Sequence, residues 1–252
     1  MEDLKQSIPV KVPAVTLAFW IIKILATTLG ETGGDAVSMS MDLGYLVGSA
    51  IFSVVFALAV VAQISARQFR PWLYWLTIIA TTTVGTTLAD FSTRSLGIGY
   101  AGGSILLASL LLATLGVWYR QIGTIAVASI ASAKSEVFYW LTILFSQTLG
   151  TALGDWTADS MSLGFDGAAI VFGGILIVIA ALYRWSKVSH TALFWAAFIM
   201  TRPLGAVVGD LLDKPVANGG FALSRYAASA TILLLIVVLV ALLPQRAAQN
   251  AH

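Results

Sequence analysis

Apolar residues run along this chain in eight long stretches, near 14–34, 45–65, 71–89, 99–119, 136–154, 166–184, 191–210 and 221–243, joined by short polar links. Each reaches the roughly 20 residues that a helix needs to cross a bilayer core. None shows the alternation over about 10 residues that marks a transmembrane β-strand. The pattern predicts an all-α polytopic membrane protein with eight transmembrane helices. The odd-numbered stretches mix threonine, glycine and charged residues into the apolar run, whereas their even-numbered partners are more uniformly apolar. The chain therefore reads as four hairpins, each a striped first helix followed by an apolar second one.

The hairpins are copies of one another. Thr28-Leu29-Gly30-x-x-x-Gly34-Asp35 returns as Thr83-Val84-Gly85-x-x-x-Ala89-Asp90, Thr148-Leu149-Gly150-x-x-x-Gly154-Asp155 and Pro203-Leu204-Gly205-x-x-x-Gly209-Asp210. An aromatic-Trp pair (Phe19-Trp20, Tyr74-Trp75, Tyr139-Trp140, Phe194-Trp195) puts Trp fifteen residues before each aspartate, and Gly44, Gly99, Gly164 and Gly219 follow nine residues after. Three fixed spacings in four copies mark an internal repeat. The aspartates lie 55, 65 and 55 residues apart, so residues 1–125 and 126–252 form two halves offset by 120 residues. An ancestral hairpin duplicated twice gives this arrangement.

Residues four apart share a helix face. Stepping back in fours from each aspartate gives Asp35, Glu31, Thr27 and Lys23; Asp90, Thr86 and Thr82; Asp155, Thr151 and Gln147; and Asp210, Ala206 and Arg202. Such stripes belong against other helices or water, because ionisable groups in lipid are costly. The motif helices are thus expected inside and their apolar partners outside. Plainer roles compete for the same residues. Gly30, Gly34, Gly85, Gly150, Gly154, Gly205 and Gly209 suit a close-packing seam. Thr28, Thr83 and Thr148 suit bonds to their own backbone. The four tryptophans suit an aromatic belt at the membrane interface. The aspartates sit near helix C-termini, where the dipole disfavours a carboxylate, so they need a cation, an arginine, a proton or a capping role. Lys23 and Arg202 are the expected counter-charges.

Composition narrows the chemistry. At 58% hydrophobic and 10% charged, the chain falls far below the roughly 25% charge of a soluble domain. A net charge of +2 carried by scattered basic residues gives no footprint for nucleic acid. With no cysteine, and His190 and His252 as the only histidines, a metal would need oxygen ligands, which suits a divalent cation such as manganese. Met39 and Met41 in one link are weak evidence for a softer metal. The first thirteen residues, with Pro9 and Pro13, show no cleavable signal. Lys5, Lys11, Arg67, Arg70, Arg120, Lys134, Arg184, Lys187 and Arg246 fall on the side of the termini, against Arg94 and Lys214 within hairpins. The positive-inside rule then puts both termini in the cytoplasm and the aspartates toward the outside, with the four repeats parallel.

The four Thr-x-Gly-x-x-x-Gly-Asp copies resemble a bacterial family of multi-pass membrane proteins defined by a tandem repeat of unknown function. The likeness runs from about Ala14 to Leu243, with departures at Ala89 and Pro203. It implies the fold and an inner-membrane location, and no established activity. More distantly, Glu31-Thr32-Gly33-Gly34-Asp35 resembles the acidic Glu-x-Gly-Asp motif of a family of manganese and calcium exchangers, with the spacing off by one.

The leading expectation is a secondary transporter or exporter for a cation, either a proton or an oxygen-liganded divalent metal. Glu31, Asp35, Asp90, Asp155 and Asp210 would form the path, Thr27, Thr82, Thr86, Gln147 and Thr151 would be neutral ligands, and Lys23 and Arg202 would be counter-charges. Its partners would be the lipid bilayer and a small ion or small-molecule substrate, and a homo-oligomer is compatible with this. The first rival is a non-transporting structural or sensory membrane protein whose aspartates are packing groups. An anionic substrate on Lys23 and Arg202 is a second. An intramembrane aspartyl protease would need Gly-x-Gly-Asp, but Thr32, Thr87, Ala152 and Val207 occupy the first position, so no enzyme is expected. No nucleotide-binding loop is present.

Overall fold

The computed structural model describes residues 10–130, 132–161 and 163–248, so Lys5, Pro9 and His252 lie outside the described residues. Eight long helices follow in order: α1 (Leu17–Asp35), α2 (Gly44–Ser65), α3 (Pro71–Asp90), α4 (Gly99–Ile122), α5 (Ala133–Asp155), α6 (Gly164–Trp185), α7 (His190–Asp213) and α8 (Arg225–Leu242). Six are long and apolar enough to cross a membrane. The other two are α1, with Lys23, Glu31 and Asp35, and α3, with six threonines. Their polar residues lower the apolar signal because these helices line an interior rather than meet lipid.

The odd helices form a closed ring in which α1 packs on α3, α3 on α5, α5 on α7 and α7 on α1. A Cβ built on Gly30 would meet Thr82, one on Gly85 would meet Gln147, one on Gly150 Arg202, and one on Gly205 Thr27. The glycine of each repeat thus receives the residue three before the glycine of the next, all the way round. The second motif position repeats the pattern one turn on, with Gly34 against Thr86, Gly154 against Ala206 and Gly209 against Glu31. Contacts that advance together along both chains mean that neighbouring ring helices run in the same direction. The small residues form the close-packing seam expected of them. Ala89, which replaces glycine in the second copy, is buried in an apolar cluster with Leu107, Leu111, Leu149 and Ala152.

The even helices stand outside the ring, displaced by one repeat. The chief partner of α2 is α3, that of α4 is α5, that of α6 is α7, and α8 returns to cover α1. Each outer helix therefore clamps the next repeat rather than its own, and the last one closes the circle. Two-thirds of the apolar window of α5 is buried, against 17% for α2 and α6, so the outer helices carry the lipid-facing surface.

The tryptophans depart from the expected interface belt. Trp75, Trp140 and Trp195 are buried, and only Trp20 is half exposed. Their aromatic neighbours explain why. Phe19 meets Trp75 at 5.5 Å, Tyr74 meets Trp140 at 5.8 Å, Tyr139 meets Trp195 at 6.1 Å and Phe194 meets Trp20 at 5.8 Å. Each repeat stitches its first aromatic to the tryptophan of the next, at centroid distances that favour aromatic pairs. Tyr74 and Tyr139 also share a buried hydroxyl–hydroxyl bond of 2.7 Å. The result is an aromatic layer at the helix N-terminal end of the ring.

The aspartate end is built differently. After Asp35, Asp90 and Asp155 the helix widens into a π-helical turn (Ala36–Ser40, Phe91–Ser95, Trp156–Ser160). The aspartates therefore lie a turn inside the helix end rather than at it. Ser38, Thr93 and Thr157 donate their hydroxyls to the carbonyls of Gly34, Ala89 and Leu153. Gly44, Gly99 and Gly164 then reverse the chain at φ near +70°, a conformation that costs other residues a backbone clash. The fourth repeat has no such turn. Its helix continues to Asp213, and a loop carries Lys214 and Gly219 (φ +85°) before α8.

A single methyl tests the seam. Gly205→Ala would put Cβ 2.9 Å from a backbone carbon of Thr27, and overpacking of this kind costs about 1–3 kcal/mol. A Cβ on Gly173, in α6, meets nothing within 4 Å. Thermal unfolding in detergent should show Gly205→Ala melting well below wild type and Gly173→Ala unchanged or slightly above it.

Candidate functional site

The stripe residues stack into layers inside the ring. Beyond the aromatic layer comes Lys23, level with Ile78, Ile143 and Phe198, and all four are buried. Next are Thr27, Thr82, Gln147 and Arg202, then Glu31, Thr86, Thr151 and Ala206, and finally the four aspartates. Every one of these side chains is at most 3% exposed.

Arg202 anchors the middle. Its Nη2 donates to Glu31 Oε2 at 3.0 Å and to the hydroxyls of Thr86 and Thr151. One cation thus ties all four inner helices together. Its Nε and Nη1, and both amide atoms of Gln147, have no protein partner among the described residues. Lys23 lies 3.9 Å over the ring of Phe198 and donates to Thr201 Oγ1 at 3.4 Å, and no described carboxylate reaches it. Arg202 is thus a counter-charge within the expected carboxylate set, to Glu31 and to none of the aspartates, whereas Lys23 pairs with no described carboxylate. Arg202 sits two layers below the aspartates and meets Glu31 in the layer between them, and Lys23 is one layer further down.

The aspartates draw their partners from the rim. Arg94 bridges Asp90, through Nε at 3.0 Å, and Asp155, through Nη2 at 3.1 Å. Lys214 bridges Asp210 at 3.0 Å and Asp35. Arg225 lies 3.8 Å from Asp35 and 3.2 Å from Asp213. The two bridges follow the duplication, since Arg94 and Lys214 each stand four residues after an even-numbered motif aspartate and reach across to the aspartate of the next repeat. Asp-x-x-x-Arg and Asp-x-x-x-Lys are helix-facing pairs readable in the sequence. Treating Arg94 and Lys214 only as orientation markers hid them. Arg225 and Asp213 were missed altogether, and Arg225 adds a third basic residue to the aspartate side.

Oxygen atoms of Glu31, Asp35 and Asp210 lie within 4.8 Å of one another. Three carboxylates at this spacing form a donor set that an oxygen-liganded cation takes, and the Lys214 ammonium rests on two of them. Burial disfavours the charge on Lys214, but Asp210 and Asp35 outweigh it and hold its pKa above the ordinary lysine value, so it stays cationic. Among the described residues of this column, acids number six (Glu31, Asp35, Asp90, Asp155, Asp210, Asp213) and bases five (Lys23, Arg94, Arg202, Lys214, Arg225).

The neutral groups divide by role. Thr28, Thr83 and Thr148 donate to Ile24, Ile79 and Leu144 of their own helices, the backbone role expected of them. Thr27 and Thr82 donate across the seam as well, to the carbonyls of Thr201 and Ala26. Thr86 reaches the Gly30 carbonyl across the seam and also accepts from Arg202, as Thr151 does, while Gln147 is buried in the Arg202 layer.

No curated protein and no solved structure matches the chain. The family profile described as a Repeat of Unknown Function (DUF347) matches residues 18–69, 73–124, 138–189 and 193–246, one match for each turn of the ring, and the chain belongs to this family.

Proposed function

We propose that this protein is a secondary transporter whose substrate or coupling ion is a cation, carried through the axis of the four-helix ring. The observation behind this reading is the column itself. Six acids and five bases stand in layers where lipid-facing helices would carry none, and each buried charge costs several kcal/mol unless something repays it. Counted formally, five bases against six acids leave one negative charge, the share that one proton or one monovalent cation neutralises. Clustered carboxylates compete for protons, which couples cation binding to a proton gradient. In this reading all eight helices span the membrane and the termini are cytoplasmic, in a bacterial inner membrane. The aromatic layer is then the barrier on the cytoplasmic side, and the Arg94 and Lys214 bridges cover the column from outside.

The structural reading has one observation in its favour, since each of the four aspartates already has a basic partner. A network that satisfies itself needs no ligand. The readings part on flux. Purified protein in liposomes carrying an internal pH dye should collapse an imposed proton gradient faster than empty liposomes when the cation is present outside. Proteoliposomes as tight as empty ones across protons, alkali ions, manganese and small ammonium ions would leave the network as packing. For topology, reporters fused after Lys187 and at the C terminus should both report cytoplasm, and one in the link between α5 and α6 should report the outside. Mixed signals at any of the three would contradict eight spans.

A further inference from the structure

The two bridges over the aspartates are related by the duplication but are not alike. Arg94 holds Asp90 and Asp155 with two different nitrogens of a planar fork, the arrangement that makes arginine a rigid staple. Lys214 holds Asp35 and Asp210 with one ammonium nitrogen. Arg94 rides on a helical turn, whereas Lys214 sits on the loop that replaces that turn in the fourth repeat. The loop is laid over the column by three backbone bonds from Phe221, Ala222 and Leu223 to Leu211, Lys214 and Leu212. Beneath it, Asp35 Oδ1 is buried and has no hydrogen-bond partner among the described residues, in a side chain that is 1% exposed. The third carboxylate, Glu31, already spends one oxygen on Arg202.

Resting on the transport reading, we infer that Lys214 is a tethered stand-in for the substrate, and that the Glu31–Asp35–Asp210 site takes a small primary alkylammonium when the α7–α8 loop lifts Lys214 away. The site already receives this chemistry: an ammonium on an alkyl stem, donating to Asp35 and Asp210. Charge points the same way. Exchanging one ammonium for another leaves the formal charge of the column as it was, six acids against five cations, and keeps a donor of the same kind on Asp35 and Asp210. Asp35 Oδ1 supplies the acceptor that a free ammonium, with three donors and no tether, can use. Arg94 is the fixed counterpart, because a guanidinium fork does not give way to one amine.

The test uses the full chain in nanodiscs. Lys214→Ala should melt below wild type, and ethylammonium should restore most of the lost Tm, whereas tetramethylammonium, which cannot donate, should not. The Lys214→Ala/Asp210→Asn variant should lose the rescue. Lys214→Ala that responds equally to both ammonium ions, or to manganese better than to ethylammonium, would overturn the assignment. Displacement in the native protein is read separately. With no native cysteine, a spin label on Val216→Cys, which is 72% exposed on the loop, should become more mobile with ethylammonium. The Lys214→Arg background should not respond, because the arginine locks the bridge. A loop label indifferent to ethylammonium at concentrations that rescue Lys214→Ala would also overturn it. Neither readout depends on flux, so this assignment and the transport reading can fail independently.

Discussion

Replacing Arg202 with glutamine should destabilise the protein by about 3–5 kcal/mol, the cost of breaking a buried ion pair from one side. Arg202 is completely buried and carries the bond to Glu31 together with those to Thr86 and Thr151, so its loss frees one group on each of the other three ring helices. It also leaves the Glu31 carboxylate among Asp35 and Asp210 with no cation of its own. Most of the cost should therefore sit in the orphaned charge rather than in lost packing. Glu31→Gln combined with Arg202→Gln should recover the larger part of it, a coupling that a double-mutant cycle measures directly. Unfolding of the four proteins in detergent checks this. A double variant no more stable than Arg202→Gln alone would mean that the arginine acts through shape and not through Glu31.

The repeat made most of the architecture legible. Eight apolar stretches became eight helices with ends shifted by a few residues, and the polar stripe correctly separated inner from outer. The arrangement of the outer helices was not legible. A hairpin suggests that its two helices pack on each other, but the wide turn after each aspartate carries α2, α4 and α6 over to the next repeat. The aromatic stitching was within reach, since Phe19, Tyr74, Tyr139 and Phe194 lie sixteen residues before the aspartates and continue the same stripe. Reading the tryptophans as interface anchors stopped the stripe too early. The site was half legible. Its acids were all on the stripe except Asp213, and two of its rim bases, Arg94 and Lys214, lie one further step of four beyond Asp90 and Asp210, where the stripe was not followed. Arg225, at the start of α8, is beside Asp35 only because the last outer helix returns to the first repeat.

The pairing also reorders what substitution should do. The motif alone sets Asp90 and Asp210 apart, because their repeats depart from the pattern at Ala89 and Pro203. The bridges instead couple Asp35 with Asp210 and Asp90 with Asp155, so Asn variants should resemble each other within those pairs. Asp35→Asn should abolish cation flux, because asparagine keeps the shape and removes the charge. It should also destabilise the fold, since it weakens the hold on Lys214. Flux loss in the single variant therefore does not separate transport from packing.

A charge-balanced variant does. Asp35→Asn/Asp210→Asn/Lys214→Met removes the whole Lys214 bridge, both acids and the base between them, and leaves four acids and four bases in the column with the ring, the Arg94 bridge and the Arg202 cluster in place. Its melting temperature should lie close to wild type, because no buried charge is left unpaired. Cation-dependent proton flux into liposomes, measured beside wild type, is then the direct test. Wild-type flux with none from the equally stable triple variant is the predicted result. Flux from the triple variant equal to that of wild type would contradict a cation path through Asp35 and Asp210 and leave the aspartates as structure.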